Sequence, residues 1–466
     1  MCVELCKAAN GCDFLLTLAM RRRTLRPGES PMQKRVSQGQ AAVALAVALV
    51  VCFAASLCEL RHPSNVLALT AQSDFRVYYV ASDLVREHMD AHLYDEAGTG
   101  TDPQRLYASD GSAIATMARS KGIAHTQLYV YPPFLADALL PFTLLSVVKA
   151  AWAWRLMNLF AIALTAGWLS CLLGYRFLSG PSLLLLAGLF CFAPLWQGLH
   201  YGQVTIVLLA LWCVGILLYA RDWKRASALA LAVGVLVKMT PLLVIVPILM
   251  WRDWRWMRWF AGFLAAGVVL TCCINSPGTL YFYLRHVVPP MSAGVIDGEN
   301  KTVVSAVGTF LGYGWMHKGA PTTAPHAVML ACKLLSAVLV GAAALLTYRA
   351  GRNGQPGGRA PALAAFALLS LCISPVAWLD SYIIGCILLA LLWQRVLAGE
   401  RSLTELLLVF AATVAVGTSV GPGYLYWRLD QSALFQFAPL ALAILLVLVV
   451  LYRRGEVDLR EATERG

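Results

Sequence analysis

Long apolar runs recur along the whole chain, separated by short basic turns or longer acidic stretches. The first covers about 41–60, and others follow near 130–147, 151–174, 181–198, 203–220, 226–250, 256–275, 326–348, 361–374, 378–397, 403–420 and 433–451. About 20 apolar residues are enough to cross a bilayer as a helix. The pattern predicts an all-α polytopic membrane protein, a bundle of about 11–13 transmembrane helices with two larger extracytoplasmic loops and interfacial helices. The apolar patch before Arg21 is too short to span, and the long run starts only after a basic cluster, so no cleaved leader is expected. Three regions follow: a basic cytoplasmic tail (1–38), the membrane domain (39–452) and a cytoplasmic tail (453–466).

Composition narrows the class. Charged residues are only 13% of the 466, against roughly 25% in a soluble domain. That excludes an ordinary cytosolic enzyme and a disordered chain. The net charge of +12 fits positive-inside loops before it fits an anionic partner, and no nucleic acid is expected. The 13 cysteines form no CxxC pair and read as small apolar residues.

Lys and Arg orient the bundle. Arg21–Arg23, Arg221, Lys224, Arg225, Arg252, Arg255, Arg258, Arg349, Arg352, Arg359, Arg395 and Arg401 mark the cytoplasmic side. Segment 226–250 has such signals at both ends, with Lys238-Met239-Thr240-Pro241 at its centre. Two half-helices meeting at that break satisfy both. Between 128 and 220 the count must be odd, so one of four segments is broken, re-entrant or fused. Loops 61–127 and 276–325 then lie outside, the first holding eight of the 25 acidic residues. A site built from them faces away from cytosolic nucleotides, and no GxxxxGK[ST] appears.

Several motifs carry candidate chemistry. A helix over 75–90 puts Phe75, Tyr78, Tyr79, Val85 and Met89 within an arc of about 120°, suited to the headgroup region. Asp74 stands at its start, where it could serve as a helix cap or a base. Arg76, Tyr94, Asp95 and Tyr131 follow, the last before Pro132-Pro133. Their aromatics also fit an interfacial belt. Gln203, in His200-Tyr201-Gly202-Gln203, suits a sugar hydroxyl or a helix–helix bridge. Lys238 near a span centre costs roughly 2.5–3.5 kcal/mol, so a phosphate partner or a snorkelling role is implied. Asn300 is a polar contact in the second loop. Trp378 and Asp380, in Ser374-Pro375-Val376-Ala377-Trp378-Leu379-Asp380, either face a sugar or start and anchor a helix. The eight His residues show no HExxH or paired spacing, so no metal site is expected.

In this order the motifs resemble glycosyltransferase family 87, of the GT-C class of integral-membrane glycosyltransferases. The carriers are Asp74-Phe75-Arg76-Val77-Tyr78-Tyr79-Val80-Ala81, Leu93-Tyr94-Asp95, Tyr131-Pro132-Pro133, Gly202-Gln203, Lys238-Met239-Thr240-Pro241, Asn300 and Ser374-Pro375-Val376-Ala377-Trp378. The family includes polyprenol-phosphate-mannose-dependent mannosyltransferases. The resemblance implies a catalytic Asp at position 74, a polyprenyl-phosphate sugar donor, inversion at the anomeric carbon, and a lipid or glycan acceptor. It assigns substrate contacts to Arg76, Tyr78, Tyr79, Tyr94, Asp95, Tyr131, Gln203, Lys238, Asn300, Trp378 and Asp380. Many relatives carry His just after Ser-Pro-x-x-Trp, where this chain has Leu379-Asp380-Ser381. The expected setting is a bacterial inner membrane, with the N-terminus inside and the site outside. No cofactor is expected, and a divalent ion is left open. A transporter or lipid-linked sugar flippase would share the broken segment and the intramembrane Lys. It would also carry inverted repeats, and none is evident.

Overall fold

The computed structural model describes residues 36–59, 73–95, 109, 111–292, 294–297, 300–313, 322–351, 359–398, 402–418 and 440–450. Residues 1–35, the tail 453–466, parts of loops 61–127 and 276–325 and the turn 421–432 lie outside the described residues.

The described residues are helical almost throughout. The chain enters with α1 (Gln38–Glu59) and reaches α2 (Ser73–Arg86), α3 (Ala113–Ser120) and α4 (Pro133–Ala138). Then come α5 (Val147–Leu172), α6 (Gly180–Phe190), α7 (Ala193–Tyr201), α8 (Thr205–Ala220), α9 (Lys224–Val237), α10 (Ile245–Met250) and α11 (Trp254–Ile274). After α12 (Val303–Phe310), the bundle closes with α13 (His326–Gly351), α14 (Ala360–Ile373), α15 (Gly385–Leu397), α16 (Leu403–Gly417) and α17 (Leu440–Val450). The only β-strands among the described residues are a two-residue antiparallel pair, β1 (Val295–Ile296) with β2 (Thr322–Thr323), within the second loop.

Among the described residues, five helices are long and apolar enough to span, or six if the bent pair α6–α7 is one span. Four shorter apolar helices accompany them: α8, α14, α16 and α17. The expected 11–13 spans are therefore not seen as whole helices there, because several apolar segments are divided into half-helices. Segment 130–147 is one case. It folds as the six-residue α4 and a 3-10 turn, Leu140–Leu144, with Pro133 and Pro141 in the first turns of the two pieces. The odd count between 128 and 220 has a visible counterpart in the 73° bend between α6 and α7. Phe192 is extended there and Pro194 follows at once.

Segment 226–250 has the expected break. Helix α9 ends where Lys238 turns extended (φ −154°, ψ 124°), and a 3-10 turn, Thr240–Val244, leads into α10. The chain then returns to where it began: Asp253 meets Lys224 at 3.0 Å, and Trp256 donates to Ser227 at 3.1 Å. Close approach of α8 to α9 depends on Gly215, where a Cβ would meet Leu231 at 2.7 Å.

Lipid-facing and buried surfaces separate by element. In α11, Val269 and Leu270 are exposed, as are Val43 and Val50 in α1. Such apolar exposure suits hydrocarbon, not water. The centre is α14 and the segment Leu379–Leu397, where alanines at 360, 362, 364, 365 and 367 are buried and allow close helix contact. Helix α2 departs from the expected interfacial placement. Its Val77, Val80, Ala81 and Leu84 are buried together with Phe75, Tyr78 and Tyr79, so it is enclosed by protein on nearly all sides. It also stops at Arg86 instead of position 90. His88 takes a left-handed φ of 57°, and Met89 N–H closes onto Leu84 C=O at 2.8 Å.

Candidate active site

Helix α2 presents Asp74 and Tyr78 one turn apart on one face. Opposite them, α7 ends at Gly202, whose left-handed φ of 67° turns the chain and delivers Gln203. Trp154 of α5 fixes this turn, donating its indole N–H to Gly202 C=O at 2.8 Å. The same indole stacks on Phe75 with ring centroids 5.5 Å apart, tying the α2 entry to the Gln203 turn.

Gln203 is the hub. Its Nε2 donates to Asp74 Oδ2, while its Oε1 accepts from Tyr78 at 3.2 Å and Tyr131 at 3.4 Å. The Asp74 carboxylate, which when ionised can only accept, settles which way the amide faces and leaves its oxygen to the two phenols. The NH2 side is thereby committed to the carboxylate. Tyr78 and Tyr131 pack edge to face, 4.9 Å between centroids. Burial, then the neighbouring Tyr131 and the Asp74 charge, push the Tyr78 hydroxyl well above its usual range, so it stays a neutral donor.

Lys238, at the break after α9, brings Nζ to 5.9 Å from the centre of the Tyr131 ring. Asp380, in the 3-10 turn Leu379–Ile384, is buried and accepts from Thr205 Oγ1 at 2.5 Å. Its carboxylate is close enough to feel the Lys238 charge. The structure thus brings Asp74, Tyr78, Tyr131, Gln203, Lys238 and Asp380 together from five separate elements.

The other expected residues stand apart. Tyr94 supports the site from behind, donating to Tyr131 C=O at 2.7 Å and packing against Tyr129 and Tyr283. Tyr79 anchors α2 by donating to Leu145 C=O at 2.8 Å. Asp95 pairs at the surface with His92, at 2.7 Å. Asn300 is buried and spends its amide on backbone: Nδ2 donates to Val295 C=O and Pro375 C=O, and Oδ1 accepts from Ala377 N–H. It clips the second loop to the Ser374–Trp378 turn, with Trp378 as its bridge partner. Arg76 makes no ion pair among the described residues, and burial draws its guanidinium below the usual range. Two positions beyond Asp74, it is turned about 200° from it around the helix.

Thr205 and Trp154 were not singled out in the sequence. Each sits in or beside an apolar run where a hydroxyl or an indole carries no pattern. A second polar pair was missed for the same reason: Asn275 donates to the buried Asp137 at 2.5 Å. No group of three His, Cys, Asp or Glu able to hold a metal ion occurs among the described residues.

The site thus gathers a carboxylate held by an amide, two phenols and, across the Tyr131 ring, a lysine at a helix break. The class is that of the GT-C membrane glycosyltransferases. Residues 129–375, more than half of the chain, match Glycosyltransferase family 87, and the chain belongs to that family. The match includes Tyr131, Gln203, Lys238 and Asn300. It begins after Asp74 and ends before Trp378 and Asp380. No curated protein matches the chain. Similar solved structures include ArnT from Cupriavidus metallidurans bound to undecaprenyl phosphate, at 16% identity and TM-score 0.36, covering 90% of this chain and 78% of that one. ArnT from the same organism in the apo state is similar at 18% identity and TM-score 0.34, covering 90% and 77%.

Proposed function

We propose that this glycosyltransferase moves a hexose, read as mannose from the family resemblance, from a polyprenyl phosphate to a lipid or glycan hydroxyl. Transfer occurs on the extracytoplasmic side with inversion, and Asp74 is the general base. The carrying observation is the amide of Gln203, which donates its N–H to Asp74 while both phenols donate to its oxygen.

In this reading the acceptor O–H gives its proton to the Asp74 carboxylate. Its oxygen bonds to the anomeric carbon while the bond from that carbon to the phosphate oxygen breaks. The electron pair leaves on the polyprenyl phosphate, and Lys238 stabilises the growing charge. One base suffices, because a phosphate is already a competent leaving group. Tyr131 offers a ring to the sugar. Asp380 is read as a positioning residue: a buried counter-charge that keeps Lys238 at the site, not a sugar ligand.

Replacing Asp74 by Asn keeps the shape and removes the base. The expected loss is on the order of 10²–10⁴-fold in glycosyl transfer, measured by mass spectrometry of product in membranes carrying equal amounts of protein. Wild-type turnover by Asp74→Asn would remove Asp74 from this role.

A further inference from the structure

The far end of α9 holds a second site. Helix α9 runs 14 residues from Lys224 to Val237, which sets its first residue about 20 Å from the Lys238 end. There, between α9 and α11, lies a cavity of about 410 Å³. Its rim carries Lys224, Arg225 and Arg255 against one acid, Asp222. Lys224 is already committed, 3.0 Å from Asp253 and 3.5 Å from Asp222. Arg225 and Arg255 have no acidic partner within 4.0 Å among the described residues. Arg225 is held over the Trp259 ring at 4.7 Å, a stacking that leaves its outer N–H edge open.

Beneath this rim the lining changes to Leu229 and Phe263. They lie five and eight residues further along their helices than Lys224 and Arg255, or about 7 and 12 Å deeper. Leu229 is 45% exposed although it faces the cavity. A charged mouth over an apolar wall matches an amphiphile, and two open guanidinium groups match a phosphodiester in the fork geometry Arg prefers.

We propose that this groove binds an anionic phospholipid, its headgroup phosphate between Arg225 and Arg255 and an acyl chain along Leu229 and Phe263. The lipid would brace α9, whose other end supplies Lys238, against α11. The site is independent of the transfer reaction itself.

Native mass spectrometry of the full chain, released from neutral detergent, tests this with three probes: phosphatidylglycerol, phosphatidylcholine of the same chains, and glycerol 3-phosphate. Wild type is expected to retain phosphatidylglycerol preferentially. Arg225→Gln and Arg255→Gln are each expected to lower that retention about fivefold. Arg258→Gln, one turn from Arg255 but outside the cavity lining, is expected to leave it unchanged. Leu229→Glu keeps all three cations yet is expected to lower retention as well, a second variant should an arginine change disturb folding. Equal retention of the two lipids, an equal loss in Arg258→Gln, unchanged retention in both arginine variants, or displacement by glycerol 3-phosphate would each overturn the proposal.

Discussion

A single amide does much of the organising at the site. Gln203 donates to Asp74 while its oxygen accepts from Tyr78 and Tyr131. Gln203→Leu removes both functions with little change in volume. We expect kcat to fall on the order of 100-fold with KM nearly unchanged, since misplacing a reacting group costs about that much. Tyr78→Phe removes one of two donors to the amide and is expected to cost only about 1 kcal/mol, near fivefold in kcat. Equal losses in the two variants would indicate that the phenol, not the amide, touches substrate. The sequence disclosed these residues unevenly. Asp74, Gln203 and Lys238 were legible because a polar group beside or within an apolar run is costly unless it has work. Asn300 was legible as important but not as a backbone clip, because composition does not say which groups an amide will meet. Thr205 was silent, since a hydroxyl opening a helix is ordinary.

At the scale of elements, loops 61–127 and 276–325 are fastened by carboxylates that stand apart from the Gln203 cluster. Asp83 of α2 is fully buried and holds Arg86 at 2.7 Å and Lys121 at 2.8 Å, joining α2 to the end of α3. Arg86 also donates to Thr143 C=O at 2.6 Å. Asp83→Asn leaves Lys121 without its anion and Arg86 with Glu87 alone, and we expect about 1.5–3 kcal/mol of destabilisation, read as a lower melting temperature in detergent. Asp90 fastens the other loop, accepting from Ser276 N–H at 2.9 Å and Thr279 Oγ1 at 2.7 Å. Burial alone would raise its pKa, but these hydrogen bonds outweigh it and hold the carboxyl below the usual range. A group whose folded pKa is depressed stabilises the fold above its unfolded value, near ~3.9, and that contribution is lost as pH falls through the folded value. The melting temperature should therefore drop as pH is taken below about 4, and less steeply in Asp90→Asn. Identical slopes in the two proteins would remove Asp90 as a contributor. Element boundaries were the least legible part of the sequence. The α2 stop depends on the left-handed turn at His88, which no glycine announced, and the α6–α7 bend depends on packing around Phe192.

For the whole molecule, the separation of charge orders everything else. Helix α9 joins a basic end, with Lys224, Arg225 and Arg255, to an end where Lys238 meets the outer-loop groups. The hairpin from Lys224 to Asp253 leaves and returns at that basic end, so the segment adds no net crossing. Hydrophobic length alone gives a full span here. The two flanking basic clusters and the Lys238–Pro241 break give the observed hairpin, so charge was the better guide. The positive-inside rule would put this basic end in the cytoplasm and the Asp74 end outside, a proposal that labelling tests. Asp95, at the site end, and Asp222, at the basic end, are both exposed, with side chains 44% and 61% accessible. In a background cleared of reactive cysteines, Asp95→Cys should react with a membrane-impermeant maleimide in intact spheroplasts. Asp222→Cys should react only after permeabilisation. The reverse pattern would put Asp74 on the cytosolic side, where nucleotide sugars are available and the argument for a lipid-linked donor fails.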